Sequence, residues 1–165
     1  MKRLKIPIII LLGILSFSAC EKDDICINND TPLVVIRFYD AVDTTELKEV
    51  PGLVVRGVGD SGLLDTLNFE TLNPIELPLR VDANSTSFTL SRTLTADSEA
   101  EVDTLVFSYA IDEVFVSRAC GYVANYDSVA VNAAPEPIDS AWIQRITLET
   151  RTITISDTTH VKIFH

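Results

Sequence analysis

From Leu105 to Ile111 every second residue is large and apolar, with Leu105, Phe107, Tyr109 and Ile111 separated by Val106, Ser108 and Ala110. A two-residue period lines one face of an extended strand, whereas a helix would scatter the same residues around its axis. Beyond residue 32 the theme recurs in shorter pieces, where apolar residues alternate or cluster between Gly, Pro, Asn and Asp. Those are the bounds of strands and turns. Strands are expected over 33–39, 52–58, 63–69, 75–81, 87–94, 105–111 leading into 114–117, 122–131, 142–155 and 160–164, the last two closing as a hairpin around Ser156-Asp157-Thr158-Thr159. The segment Asn132-Ala-Ala-Pro135-Glu-Pro137 is a loop, because two prolines cannot donate to a ladder. Eight or nine short strands spaced by about ten residues predict an all-β, two-sheet antiparallel sandwich, immunoglobulin-like or transthyretin-like. A small β-barrel is the alternative. An immunoglobulin domain would set its tryptophan between bridged cysteines, but Trp142 follows all three cysteines.

The N-terminus has a different grammar. Lys2, Arg3 and Lys5 precede an apolar run over 6–17, then Ser18 and Ala19 stand directly before Cys20. This is the three-part layout of a secretory signal. The run is about a dozen residues and a bilayer-spanning helix takes roughly 20, which favours a cleaved signal over a permanent span. Phe17-Ser18-Ala19-Cys20 resembles a lipobox, in which the cysteine thiol receives a diacylglyceryl group before cleavage; Phe17 stands where an aliphatic residue is commoner. The expected layout is a signal over 1–19, a lipidated tether over 20–31 and one domain over 32–165, on the outer membrane. Glu21-Lys22-Asp23-Asp24 resembles the short Lys-acid-acid signals that send Bacteroidota lipoproteins to the cell surface. A plain charged tether reads the same way, so surface-facing and periplasm-facing placements both stand.

Acylation of Cys20 leaves Cys26 and Cys120, and an oxidising compartment predicts that they pair. In the chain-entropy model, closing a loop of about 95 residues contributes about 4–5 kcal/mol. Export removes three of the 13 basic residues and none of the 24 acidic ones, so the mature chain carries −14. Such a surface repels phosphate, which excludes nucleic acid as a partner. The membrane, through the Cys20 lipid, and an outer-membrane protein are the expected partners.

Cys20-Glu-Lys-Asp-Asp-Ile-Cys26, Val35-Ile-Arg-Phe-Tyr-Asp40, Leu77-Pro-Leu79 and Val116-Ser-Arg-Ala-Cys-Gly-Tyr122 together resemble an uncharacterised family of Bacteroidota lipoproteins with a domain of unknown function. The resemblance spans most of the chain. It implies the anchor, the bridge and the fold class, and it carries no catalytic residue.

Motifs that suggest chemistry fail on context. Gly57-Val-Gly59-Asp-Ser-Gly62 meets the dinucleotide fingerprint letter by letter, but a strand-like run follows where a phosphate-binding helix is required. A glycine-rich hairpin turn is the better reading. Gly59-Asp60-Ser61-Gly62 looks like a trypsin-like nucleophile loop, yet His160 and His165 both lie after it, in the wrong order for that family. Five apart on a strand, those histidines face opposite sides and do not share a metal. Asp97, Glu99, Glu101 and Asp103 are spaced by two and offer hard oxygen ligands to calcium, although Val102 stands where an EF-hand needs glycine. A solvated acidic face is the plainer reading, and no cofactor is expected.

One excess survives. Asp43-Thr44-Thr, Asp65-Thr66-Leu, Asp103-Thr104-Leu, Asp127-Ser128-Val, Asp139-Ser140-Ala and Asp157-Thr158-Thr share one pattern, where composition predicts roughly one or two such triplets. It resembles the O-glycosylation acceptor of Bacteroidota, and it also suits loop-to-strand boundaries. The expected function is a non-enzymatic envelope lipoprotein serving protein interaction or assembly; the alternative is a glycan- or ligand-binding surface module. One Trp and four Tyr give little aromatic surface for stacking sugars.

Overall fold

The structure, a computed structural model, describes residues 26, 31–68, 73–95, 99–134 and 141–165. The alternating run around Leu105 lies inside the longest strand. The strands are β1 (Val34–Tyr39), β2 (Val54–Gly59), β3 (Gly62–Asn68), β4 (Ile75–Leu77), β5 (Ser85–Arg92), β6 (Glu101–Ser117), β7 (Gly121–Ala134), β8 (Arg145–Leu148) and β9 (Val161–Phe164). They form a four-stranded sheet in the order β4-β1-β9-β8 and a five-stranded sheet in the order β3-β2-β5-β6-β7. Neither closes into a barrel. Every pairing is antiparallel except β1 with β9, which run parallel from Ile36↔Val161 to Tyr39↔Phe164.

One core lies between the sheets. Ile36 and Phe38 of β1 and Ile163 of β9 meet Leu90 of β5, Leu105 and Phe107 of β6 and Tyr126 of β7, all fully buried. Alternation explains it, since the buried residues of β5 and β6 sit two apart and face the other sheet. Trp142 plugs the sandwich away from the β2–β3 turn. It packs 6.2 Å from the Phe38 ring and donates its indole N–H to the Leu90 carbonyl at 3.1 Å.

Two expected strands are shorter than their apolar pattern. The pattern over 75–81 pairs only as far as Leu77, because Pro78 has no N–H to donate. Within 142–155 only Arg145–Leu148 is strand; the loop after it crosses to β7, where Ile153 exchanges hydrogen bonds with Tyr126 at 3.0 and 2.8 Å. The two expected pieces 105–111 and 114–117 are one continuous strand. At the β2–β3 turn Gly62 has a φ of +115°, a value side chains rarely adopt, and a Cβ on Gly59 would meet Leu64 at 2.9 Å. The glycine cluster is therefore a hairpin with a leucine folded over it.

Candidate functional site

β5 accompanies β6 only from Ser85↔Ser108 to Arg92↔Glu101. Past Ser108, β6 pairs with β7 alone, as far as Phe115↔Tyr122 and Ser117↔Gly121. The 151–153 segment still bonds β7 at Val129 and Tyr126, and beyond Ile111↔Tyr126 the two strands run on as a ribbon with no other strand beside them among the described residues. The same end of the molecule holds the β2–β3 turn, the start of β5, the loop over 78–84 and the entry of β1. Cys120 lies in the turn of the ribbon and is bonded to Cys26, with their Cα atoms 5.0 Å apart. The bridge ties the segment ahead of the domain to the far tip of the ribbon.

Exposed apolar side chains stand on both faces of that tip, with the exposed Arg118 in the turn itself. Phe115 and Tyr122 sit opposite each other, 55% and 66% exposed, with rings 5.3 Å apart and edge-on. Val114 pairs across from Val123 on the other face, and Val116 adds a further exposed side chain. With Leu63 and Leu64 beside the β2–β3 turn and Val81 in the loop before β5, seven of the eleven exposed large hydrophobics among the described residues lie at this end. The exposed apolar surface is thus concentrated at one end rather than scattered singly.

Below the ribbon a groove of about 630 Å³ opens between β2, β3 and the 78–80 segment, lined by Val58, Leu63, Leu64, Leu67, Leu79 and Phe88 among others. Its wall at 78–80 has left the sheet, and side chains supply its hydrogen bonds instead. Tyr126 donates its hydroxyl to the Leu79 carbonyl at 3.0 Å, and Tyr109 donates to the Arg80 carbonyl at 2.8 Å. The Arg80 N–H donates to Thr86 Oγ1 at 2.9 Å, and Thr86 lies 2.6 Å from the Tyr109 hydroxyl. The two tyrosine rings meet edge-on at 5.0 Å. Burial pushes the Tyr126 hydroxyl up to about 12 and raises that of Tyr109. Both stay protonated donors at neutral pH.

The residues singled out in the sequence fall in different places. Cys20, Asp97 and Ser140 lie outside the described residues. Glu99 is exposed, Glu101 pairs with Arg92, and Asp103 is buried and accepts the backbone N–H groups of Trp142 and Ile143, each at 2.8 Å. These acidic side chains do not converge; among the described residues no group of three or more His, Cys, Asp or Glu side chains could hold a metal ion. Thr44, Thr66, Ser128 and Thr158 are exposed, Thr66 accepting from Arg56 Nε at 3.0 Å, while Thr104 is half-buried within β6. His160 accepts the Val35 N–H on Nδ1 at 2.9 Å, and His165 lies 3.2 Å from Arg92. They sit at opposite ends of β9, both withdrawn from solvent. Sequence reading missed the apolar tip, whose signal was Val114-Phe115-Val116 directly before a cysteine turn.

Fold and site define a two-sheet β-sandwich with a bridge-tipped ribbon. The chain belongs to a family of unknown function (DUF6452), whose model matches residues 52–165. The match takes in every strand but β1, and Cys20 and Cys26 precede it. No curated protein and no solved structure matches the chain.

Proposed function

We propose that the chain is a non-enzymatic envelope lipoprotein, held to the outer membrane by a lipid on Cys20 and serving protein interaction or assembly through its ribbon end. The observation that carries this reading is the Cys26–Cys120 bridge, which fastens a point six residues from Cys20 to the ribbon tip. Both histidines are engaged in packing and backbone contacts, which supports a binding role over a catalytic one. The acidic balance disfavours nucleic acid. Crosslinking from Leu63, Leu64 and Val81, the exposed apolar positions of this end beside the ribbon, in intact envelopes should capture one outer-membrane protein. Labelling with an alkyne fatty acid should mark the chain and be lost in Cys20→Ser, which should appear in the soluble fraction. Persistent labelling of Cys20→Ser would overturn the anchor, and no ribbon-end crosslink would overturn the interaction role. Glu21-Lys22-Asp23-Asp24 suits either face of the outer membrane: protease added to whole cells should cut a surface-facing domain and spare a periplasm-facing one.

A second reading, a ligand-binding module, is favoured by the groove over Leu64 and Phe88. Its lining suits an apolar ligand. The exposed aromatics among the described residues, Phe115 and Tyr122, stand edge-on and form no flat platform for a sugar. Solvent extraction of natively purified protein should then release a stoichiometric lipid. The exposed Thr44, Thr66, Ser128 and Thr158 support O-glycosylation, which would add to the intact mass of the lipidated polypeptide.

A further inference from the structure

We propose that the tip of the β6–β7 ribbon enters the membrane interface as a protein-made second anchor beside the lipid; this rests on the lipid-anchor reading above. The first support is reach. Cys26 lies six positions after Cys20, and six fully extended steps span about 20 Å. Because Cys26 is bonded to Cys120 in the ribbon turn, the tip stays within about that distance of the point where the acyl chains enter the bilayer.

The second support is chemistry. Val114, Phe115, Val116 and Tyr122 are exposed on a ribbon that, beyond Ile111↔Tyr126, has no strand beside it among the described residues. A two-stranded hairpin is marginal in water by itself, and these four side chains stay exposed although Ala124 on the same ribbon is buried. Phe115 and Tyr122 already pack edge-on against each other, so little side-chain freedom is lost when they enter lipid. A tyrosine ring with its hydroxyl suits the headgroup level.

The third support limits depth. Asp112 and Glu113 are exposed just behind the apolar residues. At a strand rise of about 3.3 Å per residue, Glu113 lies about 10 Å behind Val116. Past Tyr109, whose N–H still bonds the Asn84 carbonyl, β6 has no second strand beside it among the described residues, and hydrocarbon does not tolerate an open strand edge. Together these hold the tip to a shallow insertion, the depth of interfacial elements. The acidic surface sets the lipid class as zwitterionic, because anionic headgroups repel it.

Depth-dependent quenching tests this on the full lipidated protein in phosphatidylcholine vesicles with bromines placed either near the headgroup or deep in the chains. Trp142, the single native tryptophan, is buried in the sandwich and serves as the internal reference. Wild-type emission should hardly change, whereas Phe115→Trp should add blue-shifted emission that shallow bromines quench at least two-fold and deep bromines less. Tyr122→Trp should behave alike, which guards against one poorly tolerated variant. Replacing Cys26 and Cys120 together by serine should leave the lipid in place and weaken the quenching. Unquenched emission from both variants, in protein that floats with the vesicles and carries the lipid, overturns the inference and leaves the anchor intact. Emission that is blue-shifted in native envelopes but unquenched by brominated lipid overturns it in favour of a protein partner. Protein that carries no lipid on Cys20 and does not float sinks the anchor reading and takes this inference with it.

Discussion

Asp103 accepts two backbone N–H groups, from Trp142 and Ile143, and is 1% exposed. By fixing Trp142 over Phe38 and Leu90 it helps seal the sandwich. Asp103→Ala orphans both donors, and charged hydrogen bonds of this kind contribute about 1.5–3 kcal/mol each. Chemical denaturation should show a loss of about 3 kcal/mol; a loss below the error of the fit would remove Asp103 from this role. His160 and His165 each make folding sensitive to mild acid. Burial holds both rings below the ordinary 6.5, and Lys48 and Arg92 further lower His165. The unfolded chain then takes up protons near pH 6.5 while the folded one does not, so stability is full above that pH and falls below it. The slope is at most about 1.4 kcal/mol per pH unit for each ring. Urea midpoints at pH 7.5 and 5.5 check this, since ordinary carboxylates are still ionised over that window. Neither role was legible in sequence, because the i, i+2 acidic spacing says nothing about which carboxylate turns inward.

The ribbon is the element that sequence patterning read least well. Period-two alternation located nearly every strand, because β propensity and burial agree wherever a second sheet covers the face. It misjudged residues 78–81, where Leu79 and Val81 keep the alternation while Pro78 breaks the ladder and Tyr109, Tyr126 and Thr86 take over the hydrogen bonds. It also split β6 at Asp112-Glu113, since two charges look like a turn; β7 running alongside keeps them in strand. Apolar alternation does not report exposure, so Val114 to Val116 resembled core and lies in the open. A two-stranded element bridged at its tip predicts graded stability. Amides over 112–122 should exchange faster than those over 103–107, and joint replacement of Cys26 and Cys120 by serine should speed them further. Uniform protection along β6 in hydrogen-exchange mass spectrometry would contradict that.

For the molecule as a whole, 24 acidic against 13 basic residues sets the field in which the sandwich folds. Described ion pairs such as Lys48–Asp40 and Lys162–Glu149 offset only part of it. Net self-repulsion is screened over about 10 Å at 0.1 M salt. The melting temperature should therefore rise between 10 and 500 mM NaCl (about that range); a flat or falling curve would mean that local pairs outweigh the net charge. The parallel contact of β1 with β9 acts on a different axis, that of time. β9 occupies the interior of its sheet between β1 and β8, with Ile36 meeting Val161 across 125 residues of sequence. Such closure is slow because it has high contact order. A chain emerging N-terminus first lacks one of that sheet's two interior strands until residues 161–164 arrive, so β1 waits with one edge open and the sandwich locks last, at β9.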